Sequence, residues 1–384
     1  MNVSEKVKKN KKSFRSILRQ EGKMDLTFFF LVIGLLVTGL IMLFSASAPY
    51  ASNYHSNSYY FITKQLSFAI AGFALMMFFS RIKYKVIAKF AWIIAGISVV
   101  LLILVLLLPE VKPGFKRWLD LGFIQFQPSE VAKFALILLL SYLISKSPKK
   151  MKETKYQLFL MGIIVFTCLL IVAENHLSAT ILVFLIGFVI MFIGGLSWKI
   201  IIAMGGLGVL GFFVAVFTGF ISYAMDRIKY WIDPWLDELG HGFQTIQSLL
   251  AIGSGGLMGR GIGQSNQKYL WLPEPQNDFI FSVVCEELGF IGAVIIIIAF
   301  GLLVWRGFRI ALAAPDKLGT LLCIGLVFQV GLQALLNILV VTNTIPNTGI
   351  SLPFFSYGGT SLVMLLAQMG MVLSISRASN LEKV

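Results

Sequence analysis

Charged side chains are scarce in this sequence: Asp, Glu, Lys and Arg make up 13% of its 384 residues, about half the share of a soluble domain. So few charges cannot clothe a water-facing surface of that size, which excludes a soluble globular enzyme. Cysteine and histidine number three each. Cys168, Cys285 and Cys323 fall in or at the edge of apolar runs, so no disulfide framework is present, and His55, His176 and His241 form no spaced metal-ligand set. Acidic residues are fewer still than basic ones, 18 against 32.

What the sequence has in excess is apolar surface, 57% of all residues. A hydrocarbon core of roughly 30 Å takes about 20 apolar residues to cross. Ten runs meet that need, at about 26–45, 61–80, 87–108, 129–145, 157–173, 177–194, 199–218, 279–304, 318–341 and 360–376. They are rich in Gly and Phe without strict alternation, so the expectation is an all-α integral membrane protein of about ten transmembrane helices, and a β-barrel is excluded. "FSASAPYAS" after the first run reads as the end of an uncleaved start-transfer helix.

The formal charge of +14 is a topology signal once its distribution is seen. Lys6, Lys8, Lys9, Lys11, Lys12, Arg15, Arg19 and Lys23 crowd the start of the chain. Arg81, Lys83, Lys85 and Lys89 fill the second connection, Lys146 to Lys155 the fourth, and Arg306, Arg309 and Lys317 the eighth. The first, fifth and ninth connections carry no Lys or Arg. This alternation predicts cytoplasmic termini, with a basic tail at 1–25, a membrane domain at 26–376 and a short tail at 377–384. Nucleic acid is not an expected partner.

Two connections are long, 109–128 and 219–278, and the charge parity puts both outside. In the second, "GFQTIQSLLAI" sets Phe243, Ile246, Leu249 and Leu250 on one face, as an amphipathic helix on the interface would. "GSGGLMGRGIGQSNQKYLWLPEPQ" follows. It lacks the Lys-Ser/Thr ending of a nucleotide-binding P-loop, leaving a re-entrant turn or a diphosphate-cradling nest as equal readings. Asp278 then sits where the chain re-enters the apolar phase, four residues after Glu274. Charge in that position marks either a water-facing edge or a working site, and Arg260, Lys268 and Trp271 just upstream weigh toward the second. The 109–128 connection adds Arg117, suited to bidentate phosphate binding, and Trp118. "QPSEVAKFA" puts Glu130 and Lys133 three apart on one helical face, as a self-neutralising pair or a functional one. Glu174 and His176 read as a hydrated turn, Glu286 and Glu287 as packing against a polar cavity, and "NTGISLPFFSYGGTSL" as re-entrant backbone satisfied by protein.

"LPEPQNDFIFSVVCEELGFIG", "GGLMGRGIGQSNQKYLWLPEP", "QPSEVAKFA", "KRWLDLG" and "LPFFSYGGTSL" together resemble the SEDS proteins (shape, elongation, division and sporulation), bacterial peptidoglycan glycosyltransferases. The wording is closer to FtsW and SpoVE than to RodA. The resemblance implies a multi-pass protein of the bacterial plasma membrane that polymerises lipid II, an undecaprenyl-diphosphate-linked saccharide, on the outer face in division or sporulation. Its partners would be a class B penicillin-binding protein transpeptidase and other divisome or sporulation membrane proteins. Carried over by motif, the catalytic acid falls on Asp278, and the substrate-binding residues on Arg117, Trp118 and Lys133, with Arg260, Lys268 and Glu274 added from the loop. The chain departs from the family pattern at Asn277, at Asn175 and His176 in "ENHLSAT" where Pro and Asp are usual, and at Asn343. The implied chemistry is one inverting displacement: a carboxylate accepts the acceptor hydroxyl's proton, and Arg117, Arg260, Lys268 or a divalent ion such as Mg or Mn balances the leaving diphosphate. Two other readings stand beside it. A lipid II flippase would line a polar path with Lys133, Glu130 and Glu286; a non-catalytic scaffold would depend on no single acid for turnover.

Overall fold

The structure, a computed structural model, describes residues 19–108, 117–120, 122, 125–203 and 228–379. Among these, eight helices are long and apolar enough to cross a membrane. In chain order the helices are α1 (Leu26–His55), α2 (Tyr60–Arg81), the short α3 (Tyr84–Ala88), α4 (Ala91–Leu107), α5 (Pro128–Lys146), α6 (Thr154–Ala173), α7 (Leu177–Gly195), α8 (Phe243–Gly255), α9 (Ile280–Leu312), α10 (Lys317–Val341) and α11 (Gly359–Ala378). The α4 helix is the shorter ninth apolar one. The expected span 199–218 lies outside the described residues from 204 onward, as does the start of the 219–278 connection.

The all-α expectation holds, with one addition. A two-residue antiparallel hairpin, β1 (Leu119–Asp120) with β2 (Gln125–Phe126), folds the 109–128 connection back on itself. Asp120 Oδ1 accepts from the Gly122 amide at 2.7 Å to close its turn, and Thr360 at the start of α11 donates to the Gln125 carbonyl.

Helix starts follow local chemistry. Asp25 caps α1, its carboxylate accepting from the Phe28 amide at 2.7 Å, and Pro128 opens α5 at a position where its missing N–H is not needed. The α1 helix runs well past its apolar stretch, through the Ala/Ser segment to His55, so the start-transfer reading ends in continuous helix.

Burial sorts the helices. In α5 and α11, 67% of the apolar window is buried, against 28% in α2 and α9. The first two are therefore interior staves and the second two face lipid, where apolar side chains need no protein cover. Pairing of α2 with α11, α9 with α10, and α4 with α5 is the most extensive.

One expectation needs correction. The apolar stretch 279–304 is not one straight span: Gly289 takes φ 70 and ψ −172 inside α9 and breaks it. The expected apolar face of α8 divides. The helix buries Thr245, Ser248, Ala251 and Gly255 along with Ile246, and leaves Leu249 and Leu250 outward. In lipid a small-residue face is the one that permits close approach between helices. A Cβ on Gly255 would fall 2.1 Å from the Cys285 carbonyl oxygen.

Candidate active site

The break at buried Gly289 frees backbone groups, each costing several kcal/mol if left unpaired away from water. The Gly-rich loop supplies their partners. Arg260 and Gly261 donate their amides to the Glu286 and Glu287 carbonyls at 3.0 Å each, and Phe290 and Ile291 donate to the Gly256 and Leu257 carbonyls at 2.9 and 3.1 Å. Gly259 and Gly289 lie back to back, with a Cβ on Gly289 placed 2.2 Å from the Gly259 nitrogen. No other residue fits either position.

Side chains complete the same anchor. Glu286, fully buried, accepts from the Ser265 hydroxyl and from the Asn266 and Gln267 amides at 2.9 and 3.3 Å. Glu287 accepts from the Lys268 ammonium at 2.8 Å and from the Ser45 hydroxyl at 2.7 Å. The Arg260 guanidinium stands 3.7 Å from Glu286. The amides of Arg260, Gly261, Ser265, Asn266 and Gln267 are thus occupied by protein, as the turn reading expects. Lys268 and Arg260 have structural partners in this anchor. The pair of acids read as cavity packing is what holds the loop down, a role legible only from two adjacent carboxylates in an apolar run needing cations nearby.

Asp278 is held from a different direction. Asn337 of α10, fully buried, donates to the Asp278 carbonyl and to the Ile350 carbonyl at 2.6 Å each. Ser356 donates to the Asn277 carbonyl at 2.6 Å, and the Tyr357 amide to the Gln276 carbonyl at 2.8 Å. The 347–357 segment, expected to be backbone satisfied by protein and nothing more, is therefore one wall of the Asp278 site. At its tip Gly349, with φ 68, faces the carboxylate: a Cβ there would lie 3.6 Å from Asp278 Oδ2. Burial pushes the Asp278 carboxyl up to about 6; a hydrogen bond from its own amide pulls the other way and the nearby Glu274 charge adds to the rise.

The turn between α6 and α7 meets that wall. Ser178 donates to the Thr348 carbonyl, and Arg117 donates to the Asn175 carbonyl. Asn175 has φ 56, a conformation that Asn tolerates and the usual Pro cannot adopt. Glu174 and His176, read as hydrated, are buried instead. Neither Glu174 oxygen nor His176 Nδ1 has a hydrogen-bond partner among the described residues. Burial drives the Glu174 carboxyl up to about 8 against the pull of Arg117. It drives the His176 imidazole down to about 3, with Arg117 and Lys133 adding to the fall. Burial thus favours the neutral form of both side chains. Lys133, 2% exposed, pairs with Glu130 at 2.7 Å on the same side.

The sequence-predicted residues thus divide. Arg117 and Lys133 act on one buried turn that is latched to the wall of Asp278; Trp118 adjoins Arg117 just before β1. Arg260 and Lys268 belong to the loop anchor. Glu274 is half-buried at the rim, with φ 43, accepting from the Asn277 side chain at 2.6 Å, which gives the unusual Asn277 its own use. Asn343, the remaining departure, has φ 55 and exchanges two hydrogen bonds with Trp231, at 2.9 and 3.2 Å. Among the described residues no group of three or more His, Cys, Asp or Glu side chains is gathered for a metal ion.

Fold and site define a multi-span helical membrane protein with the Asp278 carboxylate walled by loops at the end of its bundle, and Arg117 on the turn latched to that wall. The family model described as "Cell cycle protein", which joins FtsW, RodA and SpoVE, matches residues 26–381, and the chain belongs to that family. It is 39% identical to stage V sporulation protein E of Bacillus subtilis (strain 168), over 92% of this chain and 97% of that one. It is 37% identical to a probable peptidoglycan glycosyltransferase FtsW of Geobacter sp. (strain M18), over 93% and 98%. Among solved structures, a chain from a study described as "Structural coordination of polymerization and crosslinking by a peptidoglycan synthase complex" matches with TM-score 0.76 and 31% identity over 92% of this chain and 98% of its own. The rod shape determining protein RodA of Thermus thermophilus matches with TM-score 0.68 and 27% identity over 93% and 99%.

Proposed function

We propose that this chain is a peptidoglycan glycosyltransferase that polymerises lipid II at the outer face of the bacterial plasma membrane. The observation that carries the reading is Asp278: one carboxylate, half-buried, backbone-fixed through Asn337 and titrating near 6. Such a group is ionised at pH 7 yet basic enough to take a proton in the transition state. As the acceptor hydroxyl attacks the anomeric carbon of the donor, its proton passes to Asp278 and the C–O bond to the diphosphate breaks. The displacement inverts an α-linked donor to a β-linkage, so no covalent nucleophile is needed. Arg117, which acts on the charge of both Glu174 and His176, stands to balance the diphosphate as it leaves, while Lys133, paired with Glu130, holds the adjoining turn. Arg260 and Lys268 take no part in this account, because Glu286 and Glu287 already neutralise them.

The flippase reading loses support from the same contacts. Its path residues are spent: Glu130 on Lys133, Glu286 on the Gly-rich loop. The scaffold reading leaves the tuned Asp278 without a purpose. In this proposal both termini are cytoplasmic, and a class B penicillin-binding protein cross-links the glycan made here, in keeping with the synthase complex to which the fold is similar. The test is incubation of the purified chain with lipid II, with and without that transpeptidase, and separation of glycan chains on a gel. A ladder of polymer is expected; lipid II left intact in both arms would overturn the reading.

A further inference from the structure

The opposite end of the bundle carries a site that the glycosyl-transfer chemistry does not use. The described chain begins at Arg19, and its first residues are strapped across the ends of α2 and α11. Arg19 bridges to Ile82 in antiparallel fashion, and the Gln20 amide donates to the Arg81 carbonyl at 2.7 Å. Gly22, with φ 109, lies so close to Arg377 that a Cβ would fall 2.1 Å from its carbonyl oxygen, and Arg377 Nη1 donates to the Gly22 carbonyl at 2.8 Å.

This strap brings three guanidinium groups together, with Arg19 and Arg81 both close enough to act on the charge of Arg377. Like charges so gathered repel, and an acid would be expected among them. None of the ion pairs among the described residues involves any of the three. Glu21, two residues along from Arg19, is exposed and ion-pairs with none of them. Arg377 Nε is buried without an acceptor, while Arg19 and Arg81 are exposed. Among the described residues the cluster has its base at Gly22 and two of its three guanidinium groups exposed, a geometry suited to an anion.

The surroundings decide which anion. Phe78, nearly one turn before Arg81 on α2, is more than half exposed, presenting an apolar side chain to hydrocarbon beside the cluster. An anion held here is tethered to acyl chains. We propose that Arg19, Arg81 and Arg377 bind the phosphate headgroup of an anionic phospholipid, whose chains lie along the exposed Phe78 beside Arg81. Basic groups at a leaflet surface contribute about 1 kcal/mol each to such binding, so each arginine is worth about fivefold in affinity. The proposal rests on the orientation above only for the leaflet that supplies the lipid.

The experiment uses the full chain purified in detergent, with lipid binding counted by native mass spectrometry and thermal stability read in parallel. Dioleoyl phosphatidylglycerol is compared with dioleoyl phosphatidylcholine and with inorganic phosphate. The wild type is expected to retain and be stabilised by phosphatidylglycerol alone. The double variant Arg19→Gln/Arg81→Gln removes two exposed side chains with no hydrogen bonds of their own, so it should keep its Tm in phosphatidylcholine and its lipid II polymerisation while losing affinity for phosphatidylglycerol by about 25-fold. Equal binding of phosphatidylglycerol by wild type and double variant overturns the proposal. So does equal stabilisation by phosphatidylcholine, or by inorganic phosphate, which would mark an adventitious ion site only. Detergent micelles have no leaflets, so failure here leaves the orientation and the enzymatic reading untouched, and failure of those leaves this result standing.

Discussion

The Lys268 ammonium lies 2.8 Å from the Glu287 carboxylate, with 3% and 0% of the two side chains exposed. A buried pair is strong evidence of commitment, because removing one partner strands the other charge at a cost of about 3–5 kcal/mol. Lys268→Ala is therefore expected to lower the Tm of the purified protein sharply and to release the Gly-rich loop to proteolysis. Lys268→Met/Glu287→Gln, which removes both charges and leaves an acceptor for Ser45, should recover much of that loss. If Lys268→Ala kept full stability and lost only turnover, Lys268 would be a substrate ligand after all.

Orientation is checked by labelling exposed positions on intact cells. Glu238 and Lys149 are both exposed, on connections that the charge asymmetry places on opposite sides. Glu238→Cys should react with an impermeant maleimide from outside, and Lys149→Cys only after the membrane is opened. The reverse pattern would invert the whole topology and move Asp278 to the wrong face for an outer-leaflet substrate.

Much of this was legible in the sequence because hydrocarbon imposes it. Apolar runs must be helices, so most of the spans could be read from the sequence, with α1 and α9 running past their expected ends, and the Lys/Arg asymmetry carries the expectation of which ends face the cytoplasm. The break at Gly289 could not be read there, since glycine is common in straight membrane helices as well. Glu286 and Glu287 needed the loop that returns to them, Arg260 and Lys268 about twenty residues earlier. Glu174 and His176 looked hydrated because a short polar turn usually is; their burial comes from Arg117 and Thr348, at separations no local pattern encodes.

Those two side chains make stability depend on pH in a readable way. Glu174 is raised from the ordinary carboxylate range to about 8, so its contribution is fully present at low pH and lost as pH rises through 8. His176, lowered to about 3, acts oppositely, but only below its unfolded value near 6.5. Asp278, raised to about 6, has the same sign as Glu174 and is finished by then. Between pH 6.5 and 8 the slope belongs to Glu174 among these three. Tm should fall by several degrees across that window, and Glu174→Gln should flatten the fall. A slope unchanged in the variant would mean that the carboxyl is ionised and solvated.

Glu274 and Asp278 are four residues apart and differ in what holds them. Asp278 is fixed at its backbone carbonyl by Asn337, and Gly349 faces its carboxylate; Glu274 sits at the rim, tied to Asn277. Only the first has the rigid placement that general-base catalysis needs, a contribution on the order of 100-fold to 10,000-fold in rate. Asp278→Asn should keep expression, fold and lipid II binding while losing that factor, and Glu274→Gln should retain measurable turnover. Because the base must be unprotonated, wild-type polymerisation should fall as pH drops through about 6. Glu274→Gln removes a charge that helps hold that value up, so its pH profile should shift to lower pH. Near wild-type glycan synthesis by Asp278→Asn would show that the carboxylate is structural, and would return the scaffold and flippase readings to contention.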